Sequence, residues 1–374
     1  MDFELNDEQT MLRDTVRDVL GNTYDVETLR AQTATDLGWS TDLWKQLAEI
    51  GILGLPFAEA DGGMDAGPVE VAAVLGEIGR SLAPEPVLDC AFLPGVLIAR
   101  TADDDQRRDL LTDVAAGDLL LAWAHVEPGD RWPVAQVSTT ATERDGGWVL
   151  SGTKNPVLHG DCANKIVVSA RAGDEIGLFL ADADADGVTR TAYRTHDLRR
   201  GAQLTFDDAP AHRLGSGDAA EAIAYAEAFA QMALCAEAVG AMEKALYLTT
   251  DYLKQRKQFG VPLAKFQTLT QRAADMYVKL ELARSLSLYA TATLAEGRVD
   301  PTVSSRAKLQ IGRSATSIGQ EAIQMHGGIG MTVEYPVGHY TSRLTAIGHT
   351  LGGAEEHLRQ LSRSIADWDM LTVI

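Results

Sequence analysis

Cysteine is scarce: the 374-residue chain has three, Cys90, Cys162 and Cys235, 72 and 73 residues apart. That spacing holds no Cys-x-x-Cys pair and no Cys/His cluster, so it excludes a zinc site and a disulfide framework. No metal is expected, and the expected compartment is the reducing cytoplasm. Positive charge is short as well: 33 Lys and Arg stand against 53 Asp and Glu, a net charge of −20. This excludes electrostatic binding to nucleic acid or anionic lipid as a main role, although a local basic cluster can still hold a phosphorylated ligand. Long apolar runs are missing too. The most apolar stretch, 87–98, contains Asp89 and Pro94 and is too short to span a bilayer, so it reads as a buried core helix. The acidic opening, Met1-Asp2-Phe3-Glu4, is the opposite of a signal peptide's basic start. What is present is a chain 45% apolar and 23% charged, with length for two or three soluble domains.

The hydrophobic period divides the chain into three zones and gives the expected class, α+β but mainly α. The first, 1–121, is helical. Leu12, Val16, Val19 and Leu20 repeat on one helical face behind Asn6 and Asp7 as caps. Ser40 or Thr41 caps a second helix, with Leu43, Trp44, Leu47 and Ile50 inward and Gly51 as its stop. The stretch 59–67 holds three glycines and two aspartates and reads as a loop, and 69–78 is again periodic.

The second zone, 122–214, alternates at period two. Strands are predicted over 137–142, 148–151, 166–170, 176–180 and 203–206, with a turn at Asp145-Gly146-Gly147. They imply a small antiparallel sheet or barrel. The acidic run from Asp182 lacks the glycine and glutamate of a calcium loop and reads as a solvated turn. The third zone, 215–374, is helical, with patterns over 219–258, 263–296, 302–325 and 353–365 that predict an antiparallel four-helix bundle. Ala230, Ala233, Ala236, Val239 and Gly240 form a small-residue strip, which either packs inside the chain or lets a second subunit's helix approach.

Two segments carry the chemistry. Arg256-Lys257-Gln258-Phe259-Gly260 is followed by Phe266-Gln267. Cations at a helix C-terminus are favoured by the helix dipole alone. The alternative is a phosphate clamp: a guanidinium for a pyrophosphate, Phe259 on a flat ring, and a hydrogen bond from Gln267. The second segment is Gln324-Met325-His326-Gly327-Gly328-Ile329-Gly330, in which the glycines either make a tight turn or let another molecule reach the backbone. His326 reads as a turn histidine with its bonds satisfied.

Arg-x-x-Phe-Gly and Gln-x-x-Gly-Gly-x-Gly, about 70 residues apart on long helices, resemble the acyl-CoA dehydrogenase family. The opening Asn6-Asp7-Glu8-Gln9, Gly51-Ile52-Leu53-Gly54, Gly62-Gly63 and Gly152-Thr153-Lys154 fit in order, so the resemblance covers nearly the whole chain. It implies FAD between a β domain and a bundle, with a neighbouring subunit completing the site. Arg256, Phe259 and Gln267 are then expected to face that neighbour's FAD, with Gln324, Gly327 and Gly328 along its adenosine-pyrophosphate arm. It also implies an acyl-CoA substrate, a glutamate that removes the α-proton while the β-hydride goes to flavin N5, and an electron-transfer flavoprotein or similar acceptor. A carboxylate serves because the thioester α-proton is acidic only in a dry, polarising pocket.

The sequence departs from that pattern where the chemistry should be. One family position for the glutamate falls at Leu351/Gly352 and the other at Ala230, and neither holds a carboxylate. Glu227 is the candidate substitute and Glu237, two turns beyond Ala230, a lesser one; both also read as ordinary helix glutamates. Glu355 and Glu356 read as first-turn acids favoured by the helix dipole. The flavin-facing segments are altered as well, to Val126-Glu127-Pro128-Gly129-Asp130-Arg131-Trp132 and to Asn155-Pro156-Val157-Leu158-His159. The chain thus resembles the non-catalytic partner in the α2β2 acyl-CoA dehydrogenases of bacterial steroid side-chain degradation. That resemblance implies a homologous, non-identical subunit, half the usual number of flavins and a bulky acyl group. The alternatives are a homotetramer with a displaced base, a structural subunit, and a flavin oxidase or monooxygenase on the same fold.

Overall fold

The computed structural model describes residues 4–134, 136–363 and 365. The ends of the first and last sequence zones, 1–3 and 366–374, lie outside them. Among the described residues the first zone holds the α-helices α1 (Asp7–Thr23), α2 (Val26–Ala34), α3 (Thr41–Glu49), α4 (Pro68–Ser81), α5 (Leu93–Thr101) and α6 (Asp104–Ala115). Their starts follow local chemistry. Asn6 caps α1 in a reciprocal box with Gln9, Ser40 caps α3, and Gly51 turns the chain at φ +80°. The helices α2 and α6 had no sequence prediction; both are short and rich in polar residues. The apolar run at 87–98 is buried helix as expected, opening in a π-helical turn (Val87–Phe92) before α5.

Seven strands form the middle layer: β1 (Leu121–Ala124), β2 (Thr140–Arg144), β3 (Gly147–Leu158), β4 (Lys165–Ala172), β5 (Glu175–Asp182), β6 (Val188–Arg194) and β7 (Arg200–Leu214). The sequence pattern predicts a small antiparallel sheet or barrel; the pairings of β3, β5, β6 and β7 are antiparallel, and parallel contacts occur as well. β1 runs parallel to β4, and β2 touches β4 in parallel through Thr140 and Arg171. The strand predicted from 137 begins at Thr140, because Ser138 and Thr139 give their backbone N–H groups to the buried carboxylate of Glu127 instead of to a ladder.

The last layer is α7 (Ala220–Gln255), α8 (Gln267–Ala295), α9 (Pro301–His326), α10 (Pro336–His349) and α11 (Ala354–Arg363). The helix α7 stops at Gln255, short of the predicted 258, because the chain turns into a hairpin of β8 (Lys257–Gln258) and β9 (Val261–Pro262). The sequence reading left out α10, whose proline start and two internal glycines weaken its pattern. It is long and packs on α7 and α9, so it supplies the fourth bundle member, and α11 is a shorter closing helix.

The helix α7 is apolar and long enough to cross a membrane by composition, but 78% of its most apolar window is buried in this fold. Its small-residue strip packs inside the chain. A Cβ on Gly240 would lie 1.9 Å from Gly76 O, and one on Gly79 1.9 Å from Glu237 O. Helices α4 and α7 therefore touch backbone to backbone, which places the first zone directly on the bundle and removes this strip as a surface for a second subunit.

Candidate cofactor face and buried cavity

Two places hold the residues singled out by sequence. The first faces outward. Arg256 leaves α7 in an extended conformation, and the β8–β9 hairpin carries Phe259 at φ +54°, 92% exposed and edge-on to Phe266 at 6.1 Å between ring centres. Arg256, Gln267 and Gln324 are exposed. At Gly327 and Gly328 an added Cβ would meet nothing within 4 Å; Gly327 needs its glycine for the backbone, at φ +66° and ψ −141°, while Gly328 does not. His326 is the satisfied turn histidine expected. Its Nδ1 bonds Ala322 O at 2.7 Å and its Nε2 the Tyr335 hydroxyl at 3.2 Å.

The second is a cavity of about 410 Å³ between the sheet and the bundle. Its wall brings together Glu227, Ala230, Leu351 and Gly352, so both family positions for the base and the candidate substitute share one space. Gly352, at φ +94°, is covered by Trp132: a Cβ there would lie 2.6 Å from the indole and 2.7 Å from His357 Nε2. No glutamate fits at that point while Trp132 stays, and Trp132 is anchored on the His357 ring at 4.1 Å. The loop below is fixed from behind. Buried Lys308 donates to Ile347 O and Thr350 O, both at 2.8 Å, and His357 bonds Leu351 O at 3.0 Å.

Glu227 is the cavity's titratable centre. Burial pushes its carboxyl up to about 7, with the Trp132 indole pulling slightly the other way. His125 Nε2 lies 4.0 Å from Glu227 Oε1, beyond hydrogen-bond reach. Burial, helped by Lys154, holds His125 down at about 4, so the ring is neutral. Its Nδ1 meets Ser169 Oγ at 2.8 Å, and that oxygen already accepts from Lys154 Nζ at 3.3 Å. The serine oxygen has one proton and two lone pairs, so the contact is satisfied with either imidazole tautomer, and Nε2 is the ring nitrogen that faces Glu227. Glu127, Lys154 and Thr139 form the buried node that holds this wall. Burial alone would raise Glu127, but Lys154 at 2.9 Å and the Thr139 amide and hydroxyl hold it at about 2. Sequence reasoning assigned no role to His125 or Trp132. The signal for Trp132 was its place in the altered segment Val126–Trp132; His125, one residue before that segment, had none.

Glu237 is not in this cavity. It accepts from Arg343 Nε at 2.7 Å and Nη2 at 2.8 Å and from Arg199 Nη2 at 3.1 Å, and Arg343 also pairs with Asp197 at 2.8 Å. Burial would raise Glu237, yet the two guanidiniums hold it below the usual carboxylate range. It ties α7 to α10 and to the β6–β7 loop. Glu355 and Glu356 sit in the first turn of α11, as expected.

The cavity and the outward face differ in their fit to a dinucleotide. The cavity wall carries Asp89, Asp130 and Glu227 and no lysine or arginine among its lining residues, and Pro156 and Leu158 offer no side-chain donor. It does not fit a flavin ring with its pyrophosphate. The outward face offers a guanidinium, an exposed aromatic ring, two amides and open glycine backbone, which fit an adenosine-diphosphate arm presented by another subunit.

Comparison with known proteins agrees in extent. Family models for the N-terminal, middle and C-terminal domains of acyl-CoA dehydrogenase match residues 6–118, 122–209 and 221–366. The chain is 30% identical to a benzylmalonyl-CoA dehydrogenase of Aromatoleum aromaticum, over 96% of this chain and 98% of that one. It superposes on a structure of a variant of the Tcur3481-Tcur3483 steroid ACAD with a TM-score of 0.89 and 34% identity, covering 96% and 98% of the two chains. A chain of the ChsE4-ChsE5 complex from Mycobacterium tuberculosis gives a TM-score of 0.91 and 25% identity, covering 99% and 100%.

Proposed function

The chain belongs to the acyl-CoA dehydrogenase family, and we propose that it serves there as one subunit of an FAD-dependent enzyme whose flavin site is completed on a homologous, non-identical partner. The observation that carries this reading is the contrast between a cation-free, acidic cavity within the chain and the exposed Arg256–Phe259 face outside it. Arg256 would hold the pyrophosphate of the partner's FAD, with Phe259 against a flat ring, Gln267 and Gln324 as hydrogen-bonding groups for the arm, and Gly327 and Gly328 as open backbone beside it. When bound, FAD accepts the hydride of α,β-desaturation. This chain's part is to hold and orient the cofactor arm. Trp132 on Gly352 supports the absence of a base at that turn.

Exposed Tyr277, Val278 and Leu282 on α8, with Met331 and Val333 after α9, supply apolar surface for an assembly through the bundles. We take that assembly as α2β2, with domains at 1–121, 122–214 and 215–374 and an electron-transfer flavoprotein or similar carrier as acceptor. The relatives named for steroid and benzylmalonyl thioesters both carry rings, which supports a ring-bearing acyl-CoA as substrate.

Flavin absorbance of the purified chain, alone and co-expressed with a homologous partner, tests the pairing. The chain alone is expected colourless or insoluble and the complex yellow; a yellow, active chain alone overturns it. The position of Glu227 in the cavity, raised to about 7, favours a second reading in which it is a displaced base of a self-sufficient homotetramer. Rapid-mixing flavin reduction separates the two: Glu227→Gln leaves the paired enzyme nearly unchanged but slows a self-sufficient one by ~10²-fold or more.

A further inference from the structure

The three free cysteines differ in their surroundings. Cys90 and Cys235 are buried and Cys162 is half-buried. Cys235 lies on α7, where burial pushes its thiol up to about 12. Cys90 lies in the π-helical turn Val87–Phe92, and Cys162 in the turn between β3 and β4. These two turns are tied at neighbouring residues. Asp89 Oδ2 lies 3.0 Å from His159 Nδ1, and the Cys162 amide and thiol both donate to His159 O at 3.3 Å. The Cys90 and Cys162 thiols are themselves hydrogen-bond partners. A disulfide requires its two sulfurs to be brought together, and here the fold has done so across 72 residues of chain.

The pair is asymmetric. Buried Trp39 Nε1 has no nitrogen or oxygen partner among the described residues, and its N–H acts on the Cys162 sulfur. The Cys90 thiol, as donor, holds Cys162 below the usual thiol range against burial; His159 and Trp39 add to this and Asp161 opposes it. Burial first, and then Cys162 itself, push Cys90 well above that range. The half-buried member is therefore the one that supplies a thiolate, and the buried member stands behind it to resolve the product.

We propose that Cys90 and Cys162 form a peroxide-sensing pair, closed by oxidation to a reversible disulfide that fastens the π-helical turn to the β3–β4 turn. The Cys162 thiolate attacks one oxygen of hydrogen peroxide, the O–O bond breaks, and the leaving hydroxide takes the proton the thiol released and departs as water. The Cys90 sulfur then attacks the Cys162 sulfenic acid. The S–S bond forms, the S–O bond breaks, and the Cys90 proton leaves with the hydroxide as a second water. Two thiols are oxidised and one hydrogen peroxide is reduced to two waters. The bond locks together the turns that carry Asp89, a wall residue of the cavity, and His159. In a reducing compartment such a disulfide is transient, as a sensor requires.

Peptide mapping of the full chain, alone or in its co-expressed complex, tests this by the state of the thiols, a readout that needs neither flavin nor partner. The reduced protein is exposed to hydrogen peroxide, unfolded with N-ethylmaleimide to block free thiols, and digested without reductant. A peptide pair linked through Cys90 and Cys162 is expected, two hydrogens lighter than the free thiols, with Cys235 blocked and with dithiothreitol restoring both partners. Cys162→Ser should slow loss of the Cys90 thiol about tenfold or more, because the buried sulfur must then meet the oxidant itself. Cys90→Ser should remove the link and leave a sulfenic acid on Cys162 that dimedone traps, with circular dichroism confirming the fold of both variants. Free thiols at both positions after exposure, a link through Cys235, or a Cys90 thiol lost as fast in folded Cys162→Ser would each overturn the proposal.

Discussion

Glu227 and Glu237 stand ten residues apart on α7, both largely buried, and titrate in opposite directions. Glu227 faces an apolar cavity with only a neutral histidine and an indole nearby, so burial drives it up to about 7. Glu237 is clamped by Arg343 and Arg199 and is held below the ordinary range. One residue type on one helix thus titrates near neutral pH in one place and is held as a fixed charge joining three segments in the other. The difference comes from what the neighbouring elements bring: β1 and its loop at Glu227, α10 and the β6–β7 loop at Glu237.

The comparison can be broken from either side. The largest effect is expected at Glu237. Glu237→Gln leaves Arg343 and Arg199 buried with one carboxylate fewer and should cost about 3–5 kcal/mol of stability by denaturant unfolding. A loss under about 1 kcal/mol would mean Asp197 alone satisfies both cations. Gly240→Ala, a few residues on, should cost about 3 kcal/mol by forcing α4 off α7; thermal unfolding reads it.

At Glu227 the effect is opposite to that at Glu237 and grows with pH. Its folded value, about 7, lies above the ordinary value of 4.5, so its contribution to stability is fully present below about pH 4.5 and is lost as pH rises through 7. Glu227→Gln should therefore match the parent near pH 4.5 and exceed it by about 2–3 kcal/mol near pH 8.5. Parallel stability curves at the two pH values would place Glu227 in contact with water. The smallest stability effect belongs to the outward face: Arg256→Ala should shift unfolding by under about 0.5 kcal/mol while lowering the flavin content of the assembly. Unchanged flavin content would remove Arg256 from the cofactor's path.

Much of the fold was legible because short-range signals govern it. Asn6 with Gln9, Ser40, and Gly51 at positive φ each set a boundary through contacts within a few residues. Where a boundary depended on a distant partner, it was misread. The strand expected from 137 starts at Thr140 because Glu127 takes the preceding amides, and α10 was overlooked because its fit lies in what it packs against. The small-residue strip on α7 was visible, but whether it faced α4 or another subunit was not.

By itself the sequence determined the helical–β–helical order, the Arg-x-x-Phe-Gly segment at Arg256–Gly260, and the lack of a carboxylate at Ala230 and Leu351/Gly352, since these are matters of period, composition and identity at a position. Only the tertiary structure decided that those positions, more than a hundred residues apart, share one cavity with Glu227, that Trp132 closes over Gly352, and that His125 Nε2 faces Glu227. The chemistry of a buried group is set by which groups surround it, and in this chain they come from the β1 loop, α7 and the α10–α11 turn.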